Sequence, residues 1–398
     1  MVRALRSPAW FSLLLCVAGA IHAQSARFVA HEIATGLRGG YQVIAVDVNH
    51  DGKPDLIALA SNLPELVWFE NPTWTRHVIA GGFTGLINVA AADGIPELAV
   101  ASGFSTRPDQ SAGIVSIYTR GADVTQPWTA REIDRVPSSH RLRWYTDASG
   151  QRWLINSPLA AATAQPPNYD GNTPVYAYRA PDWKREALPS EEHGVVHAIE
   201  PIHGAYCSAC LLSAGFAGVH RYEHVNGVWS HVAIVPGDPA AVPKGGSSDV
   251  AVGRARYMSG DSLFIAAIEP WHGNELAIYH RGASGNYERR VIDTTIVDGH
   301  TLVVAALDGG GFDDIVVGQR GGSRSVWLFT QTSDGGWSKS TLDDGGMAAA
   351  GCTAADFNGD GRIDVACIGT ATANLKWYEN LPSVERGAGG ARPRDPPR

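Results

Sequence analysis

The chain has 398 residues, 44% of them apolar and 18% charged, with 45 glycines, 12 tryptophans and only 3 methionines. That balance excludes a disordered, coiled-coil or collagen-like chain and points to short strands joined by tight turns. The formal charge of −8 provides no basic field for a nucleic-acid partner.

The N-terminus reads as a targeting segment. Arg3 and Arg6 form a basic start, an apolar run follows from Ala9 to Ala20, and small residues precede Gln24. Residues 1–23 are therefore expected to be a signal peptide, and the rest of the chain a periplasmic or secreted protein with no membrane span. FVAHEI at 28–33 is a strand with no neighbour of its own.

From residue 41 the chain repeats itself about every fifty residues. IAVDVNHDGKPDLIALASNLPELVWFENP, from Ile44, returns as TAADFNGDGRIDVACIGTATANLKWYENL, from Thr353. Weaker copies begin at Ile87, Ser262 and Val303. Each unit is a short apolar strand, a loop, a second apolar strand, a polar turn and an alternating strand. First strands are expected at 41, 87, 140, 197, 249, 300 and 352. TRHVIA at 75–80, SHVAIV at 230–235 and RRVIDT at 289–294 read as fourth strands.

Seven such units predict an all-β fold: a seven-bladed β-propeller of four-stranded antiparallel blades over residues 24–382. The last unit stops at Leu381 after three strands, so FVAHEI is expected to supply the fourth and close the ring, removing two exposed edges. Residues 383–398, rich in Pro, Gly and Arg, read as a disordered tail.

Four cysteines follow the leader. Cys352 and Cys367 fall opposite each other on a hairpin, which suits a disulfide in an oxidising compartment. Cys207 and Cys210 lack the βαβ context of a redox pair, leaving a structural bridge or free thiols.

Two loops carry oxygen ligands at positions 1, 3, 5 and 9, with glycine at 6. They are Asp47, Asn49, Asp51 and Asp55, and Asp356, Asn358, Asp360 and Asp364. This spacing suits a hard cation, and its flanking strands rather than helices make each a structural Ca²⁺ hairpin. The copy from Asp308 to Asp313 is degenerate.

In a propeller, first strands begin on one face, opposite these hairpins. His140, His197 and His300 stand at first-strand starts in three units, with Tyr41 and Asp249 at comparable positions. Lys244 precedes the fifth first strand, and His272 and Arg320 lie on turns between second and third strands. Three histidines from separate blades converge only around the central channel. Neutral imidazoles there suit Zn²⁺ or another divalent metal. Trp144 and Trp271 are candidates to stack on a sugar face, and Lys244 and Asp249 to bind substrate.

The repeats resemble the FG-GAP/VCBS propellers, whose members carry calcium in hairpins of this kind. More narrowly, IAAIEPWHGNELAIYHR and DGHTLVVAALDGGGFDDIVVGQRGG resemble the propeller domain of aldos-2-ulose dehydratase, through the Glu-Pro-Trp-His-Gly-Asn turn and the Gly-His-Thr start. That resemblance implies a propeller-bound metal and elimination of water from a keto-sugar. It does not carry over the isomerase step, which belongs with cupin and lectin-like domains.

The expected activity is therefore a metal-dependent carbon–oxygen lyase on keto-sugars or oxidised glycosides, with His140, His197 and His300 as metal ligands or base and Tyr41 or His272 as acid. Arg320 and Lys244 would hold hydroxyls or an acidic group. The alternative is a non-catalytic propeller that binds glycan or a protein partner. No G-x-S-x-G elbow or H-E-x-x-H helix is present, and Gly309 to Gly311 sit in a hairpin rather than a phosphate cradle. A carboxylate pair such as Glu200 and Glu269 keeps glycoside hydrolysis open.

Overall fold

The computed structural model describes residues 27–382, apart from 92, 93, 95, 242, 244 and 257–262. The expected signal peptide, the expected tail and Lys244 lie outside the described residues.

Second strands are apolar on both faces, so each must be covered on both sides. Asp55–Ala60, Ala209–Gly215, Asp314–Gln319 and Asp364–Gly369 are buried at every position. Fourth strands such as Thr129–Arg135 and Val228–Val235 are mostly exposed or half-buried and face solvent. The solution is seven four-stranded antiparallel sheets stacked face to face around an axis. Seven apolar clusters fill the seven seams between neighbouring sheets. An eighth lies under the long loop of blade 3 and holds Leu159, Tyr169, Phe216 and Trp271.

Blade 1 opens with strand Gly40–Val46 and blade 7 with Ala349–Ala355, earlier than the expected 352. Arg27–Thr35 pairs antiparallel with Asn374–Leu381, so the N-terminal strand is the outer strand of blade 7 and closes the ring. Blade 3 is the irregular one. Its third and fourth strands shrink to Tyr176–Tyr178 and Glu186–Ala187.

Buried amides staple the seams. Asn71 Nδ2 donates to Pro54 O (2.9 Å) and across the closing seam to Phe357 O (2.7 Å). Asn380 repeats this, reaching Ile363 O (3.0 Å) and Leu307 O (2.7 Å). Gln331 does the same for blade 6, reaching Asp313 O and Arg254 O. Both cysteine pairs are disulfides, and Cys352 and Cys367 are direct cross-strand partners.

Candidate functional site

Four first strands share a defect that builds the site. The ladder of blade 1 passes from Gly40 to Gln42, that of blade 3 from Ser139 to Arg141, that of blade 4 from Val196 to Ala198 and that of blade 6 from Gly299 to Thr301. The skipped residues are Tyr41, His140, His197 and His300. A bulge leaves its extra residue unpaired and re-aims the side chain, and here four bulges gather their side chains at one end of the channel. Blade 7 has the same bulge but places Ala350 there.

His197 Nδ1 donates to Ser248 O at 2.9 Å, and His300 Nδ1 to Ala350 O at 2.6 Å. Both tautomers are thus fixed with a lone pair on Nε2. His272 joins them from the turn after Glu269, held at φ 50°. Its Nε2 lies 3.1 Å from His197 Nε2. The ligand nitrogens of His197, His272 and His300 all lie within 4.8 Å of one another. The expected trio was His140, His197 and His300. The structure assembles His272 in place of His140, whose Nε2 is taken by Tyr41 OH (2.9 Å) and Arg141 Nη1 (3.0 Å). His140 Nδ1 is buried without a partner.

Burial holds His140, His197 and His300 well below the usual imidazole range, helped by the Arg141 charge at the first two and by Arg320 at the third. His272 is pushed down to about 3 by burial and by Arg320. All four rings are therefore neutral, the state that ligates metals. Arg320 clamps Asp298 with Nε (3.1 Å) and Nη2 (2.8 Å), and Nη2 also donates to His272 Nδ1 at 3.1 Å. Asp298 Oδ1 stands 3.6 Å from that same nitrogen.

Below the histidines the channel is a cavity of about 960 Å³, the size of a small-molecule site. Its lining runs from Tyr41, Arg141 and His300 at the closed end to Gly94, Arg152 and Ile363 on hairpins of the opposite face. Arg141 is 8% exposed and, among the described residues, makes no ion pair. Arg143 pairs with Glu200 at 3.3 Å. Asp249 faces the channel and accepts the amides of Val250 and Leu302, both at 3.0 Å. Burial pushes its carboxyl up to about 7, against the pull of Arg141. Trp144 lines the same wall and donates to Ala90 O at 3.2 Å. Trp271 lies off the channel, packed against Tyr169, Phe216 and His197. Glu269 is also off the channel, tied to Ser247, Tyr279 and Arg289, so it forms no carboxylate pair with Glu200.

The two acidic hairpins have one hydrogen-bond pattern. Asp47 takes the amides of Asp51 and Gly52, as Asp356 takes those of Asp360 and Gly361. Asn49 and Asn358 each accept the same amide two residues on and donate to Glu70 and Glu379. Those glutamates, two strands away, were not foreseen. Asp55 and Asp364 are fully buried and accept backbone amides with both oxygens. Burial raises both to about 6. In the degenerate copy Asp314, not Asp313, holds this buried position, while Asp308 and Asp313 face Arg256 and Arg254.

Arg141 and Asp298 also escaped the sequence reading. The only signal for either was adjacency, Arg141 to His140 and Asp298 to Gly299-His300.

Known proteins match this architecture in parts. Residues 112–282 match the aldos-2-ulose dehydratase β-propeller domain, a span that includes His140, His197, Asp249 and His272. Residues 307–367 match an FG-GAP-like repeat, which includes the second acidic hairpin. No curated protein matches the chain. A chain from the crystal structure of the mitotic checkpoint complex superposes with a TM-score of 0.57 at 10% identity, over 95% of this chain and 98% of that one. Such a likeness shows the fold alone. The chain is a seven-bladed propeller related to the dehydratase propeller domain and to FG-GAP repeats.

Proposed function

We propose that this protein is an exported lyase that eliminates water or an alkoxy group from keto-sugars or oxidised glycosides at the closed end of its channel. The observation that carries the reading is the convergence of His197, His272 and His300 beside a large cavity that holds Arg141 and Asp249. Two Nε2 lone pairs fixed by backbone carbonyls, with a third imidazole facing one of them, fit a borderline divalent ion such as Zn²⁺. When bound, that ion supplies Lewis-acid polarisation of the substrate ketone.

The chain's own groups supply the rest. Asp249, poised near neutrality, takes the proton α to the ketone. Arg141 is a buried cation already placed where negative charge develops on the substrate oxygen. The β-carbon–oxygen bond then breaks, the electron pair of the lost C–H forms the double bond, and Tyr41 protonates the departing oxygen. His140 holds Tyr41 in place. Trp144 offers a flat wall for a sugar ring. This reading moves the base from a histidine to Asp249.

The acidic hairpins Asp47 to Asp55 and Asp356 to Asp364 are proposed as calcium braces, since their oxygen donors suit a hard ion. Residues 1–23 and the two disulfides support a periplasmic or secreted location. Among the described residues no helix is long and apolar enough to cross a membrane.

The test is metal content by mass spectrometry on wild type, His197→Ala and His300→Ala, followed by elimination assays on keto-sugars that read the conjugated product. About one equivalent of transition metal lost in both variants together with activity supports the lyase. Transition-metal content unchanged by either substitution, with no product formed, would leave a glycan- or protein-binding propeller.

A further inference from the structure

A second cluster lies far from the channel, on the seam between blades 3 and 4. His220, on strand Gly218–Val225, sits opposite Ser213, and Tyr222 sits opposite His231 on strand Val228–Val235. His220 and Tyr222 are two residues apart on one strand, so they share the blade face turned to blade 3. Glu192 enters from the connector between the blades. Its carbonyl is pinned by Thr173 N (2.7 Å), and Gly194 N bonds Gly171 O (2.9 Å), which anchors the connector to blade 3.

Three donor atoms converge here, one each from Glu192, His220 and His231, all within 4.8 Å of one another. Glu192 is 0% exposed and His220 4%. One carboxylate oxygen, Oε1, accepts from Tyr222 OH at 2.9 Å and from Ser213 Oγ. The other, Oε2, is buried with no hydrogen-bond partner. His220 Nε2 donates to Ala217 O at 3.1 Å, which leaves a lone pair on Nδ1, and that lone pair faces His231 Nε2 at 2.7 Å. A buried carboxylate oxygen without a donor is costly. Here it stands beside an imidazole whose lone pair has been fixed by a backbone carbonyl, with hydroxyls orienting the carboxylate from behind. That is how proteins build the surroundings of metal ligands.

We propose that Glu192, His220 and His231 bind a divalent transition-metal ion, zinc by donor type, which clamps the blade 3 connector to blade 4. Two imidazoles and one carboxylate suit zinc, whereas calcium takes oxygen ligands. Half-buried His231 gives the ion its way in. The inference is independent of the channel reading.

The experiment uses the full chain in saturating calcium. The His197→Ala/His300→Ala variant, lacking the channel ligands, is stripped with a chelator and titrated with zinc against a chromophoric competitor. About one zinc per chain is expected to remain, to be lost in His231→Gln and in Glu192→Gln, and to bind ~10–100-fold more weakly in Tyr222→Phe, which keeps every ligand. Anomalous diffraction at the zinc edge on wild type separates the two sites, and should show a peak between these three side chains. Should Glu192→Gln fail to fold, His231→Gln, at a half-buried position, and Tyr222→Phe still decide. No zinc uptake in the channel variant, uptake indifferent to His231→Gln and Tyr222→Phe, or no peak at the seam overturns the proposal.

Discussion

The channel histidines make their sharpest prediction through a residue that touches none of the substrate space. His272 Nδ1 has two rivals for its attention. Arg320 Nη2 donates to it at 3.1 Å, which places the proton on Nε2, facing His197. Asp298 Oδ1, 3.6 Å away, is the acceptor that the opposite tautomer needs. Ligation by Nε2 requires the proton on Nδ1, and so requires Asp298. Asp298→Asn removes the charge from that acceptor and also strips Arg320 of the carboxylate that neutralises it. Partners of this kind are worth ~10–100-fold in metal affinity, about 1.4–2.7 kcal/mol. The unbalanced Arg320 charge, which opposes a dication, pushes the expected loss toward the upper end. The assay is chelator competition for zinc in saturating calcium, in a His231→Gln background so that only the channel is read. Asp298→Glu should recover part of the loss. Unchanged zinc affinity in Asp298→Asn would refute His272 as a ligand and the role assigned to Asp298 with it.

Four further outcomes are expected. Asp249→Asn should lower kcat by ~10²–10⁴ with little change in KM, and should abolish a rise in wild-type rate as pH passes about 7, where this carboxyl ionises; a retained pH limb assigns the base elsewhere. Asp314 is raised by burial to about 7, above its ordinary 3.8. The folded state then holds its proton more tightly than the unfolded chain, so stability falls as pH rises between these values; urea melts at both ends of that window should show a shallower fall in Asp314→Asn. Asn71→Ala deletes two hydrogen bonds of a buried amide, one of them across the closing seam, and should cost about 2–3 kcal/mol in a urea melt; a cost near zero would show that the closing seam does not need the staple. Reduction of Cys352–Cys367, with a separation of 15, should cost about 3 kcal/mol on the chain-entropy view, read as a lower Tm in Cys352→Ser/Cys367→Ser.

Much of this molecule is local and therefore legible in the chain. Continuous apolar runs such as DLIALA mark strands covered on both faces, and the fifty-residue recurrence counts the blades. An unmatched first strand and a three-stranded last unit imply the closure that Arg27–Thr35 makes. Repeat position alone put Tyr41, His140, His197 and His300 at one end of the channel, and the cross-strand register of Cys352 and Cys367 follows from the hairpin.

The division of labour among those groups is not local. Whether His140 or His272 completes the trio depends on Tyr41 and Arg141 reaching across blades to occupy His140, and on a turn in blade 5 leaning over blade 4. The bulges that aim the side chains are register slips between paired strands, visible only once both strands are placed. Asp298, the charge on Arg141, and the meeting of Glu192 with His220 and His231 all depend on which blade faces which. The repeat, and hence the strands, the ring and its closure, can be read from the chain alone because hydrophobic period and turn chemistry act between near neighbours. Which atoms hold a lone pair toward a common point, and which charges are buried, emerges only from the packed blades, because those depend on contacts between residues far apart in the chain, up to hundreds of positions.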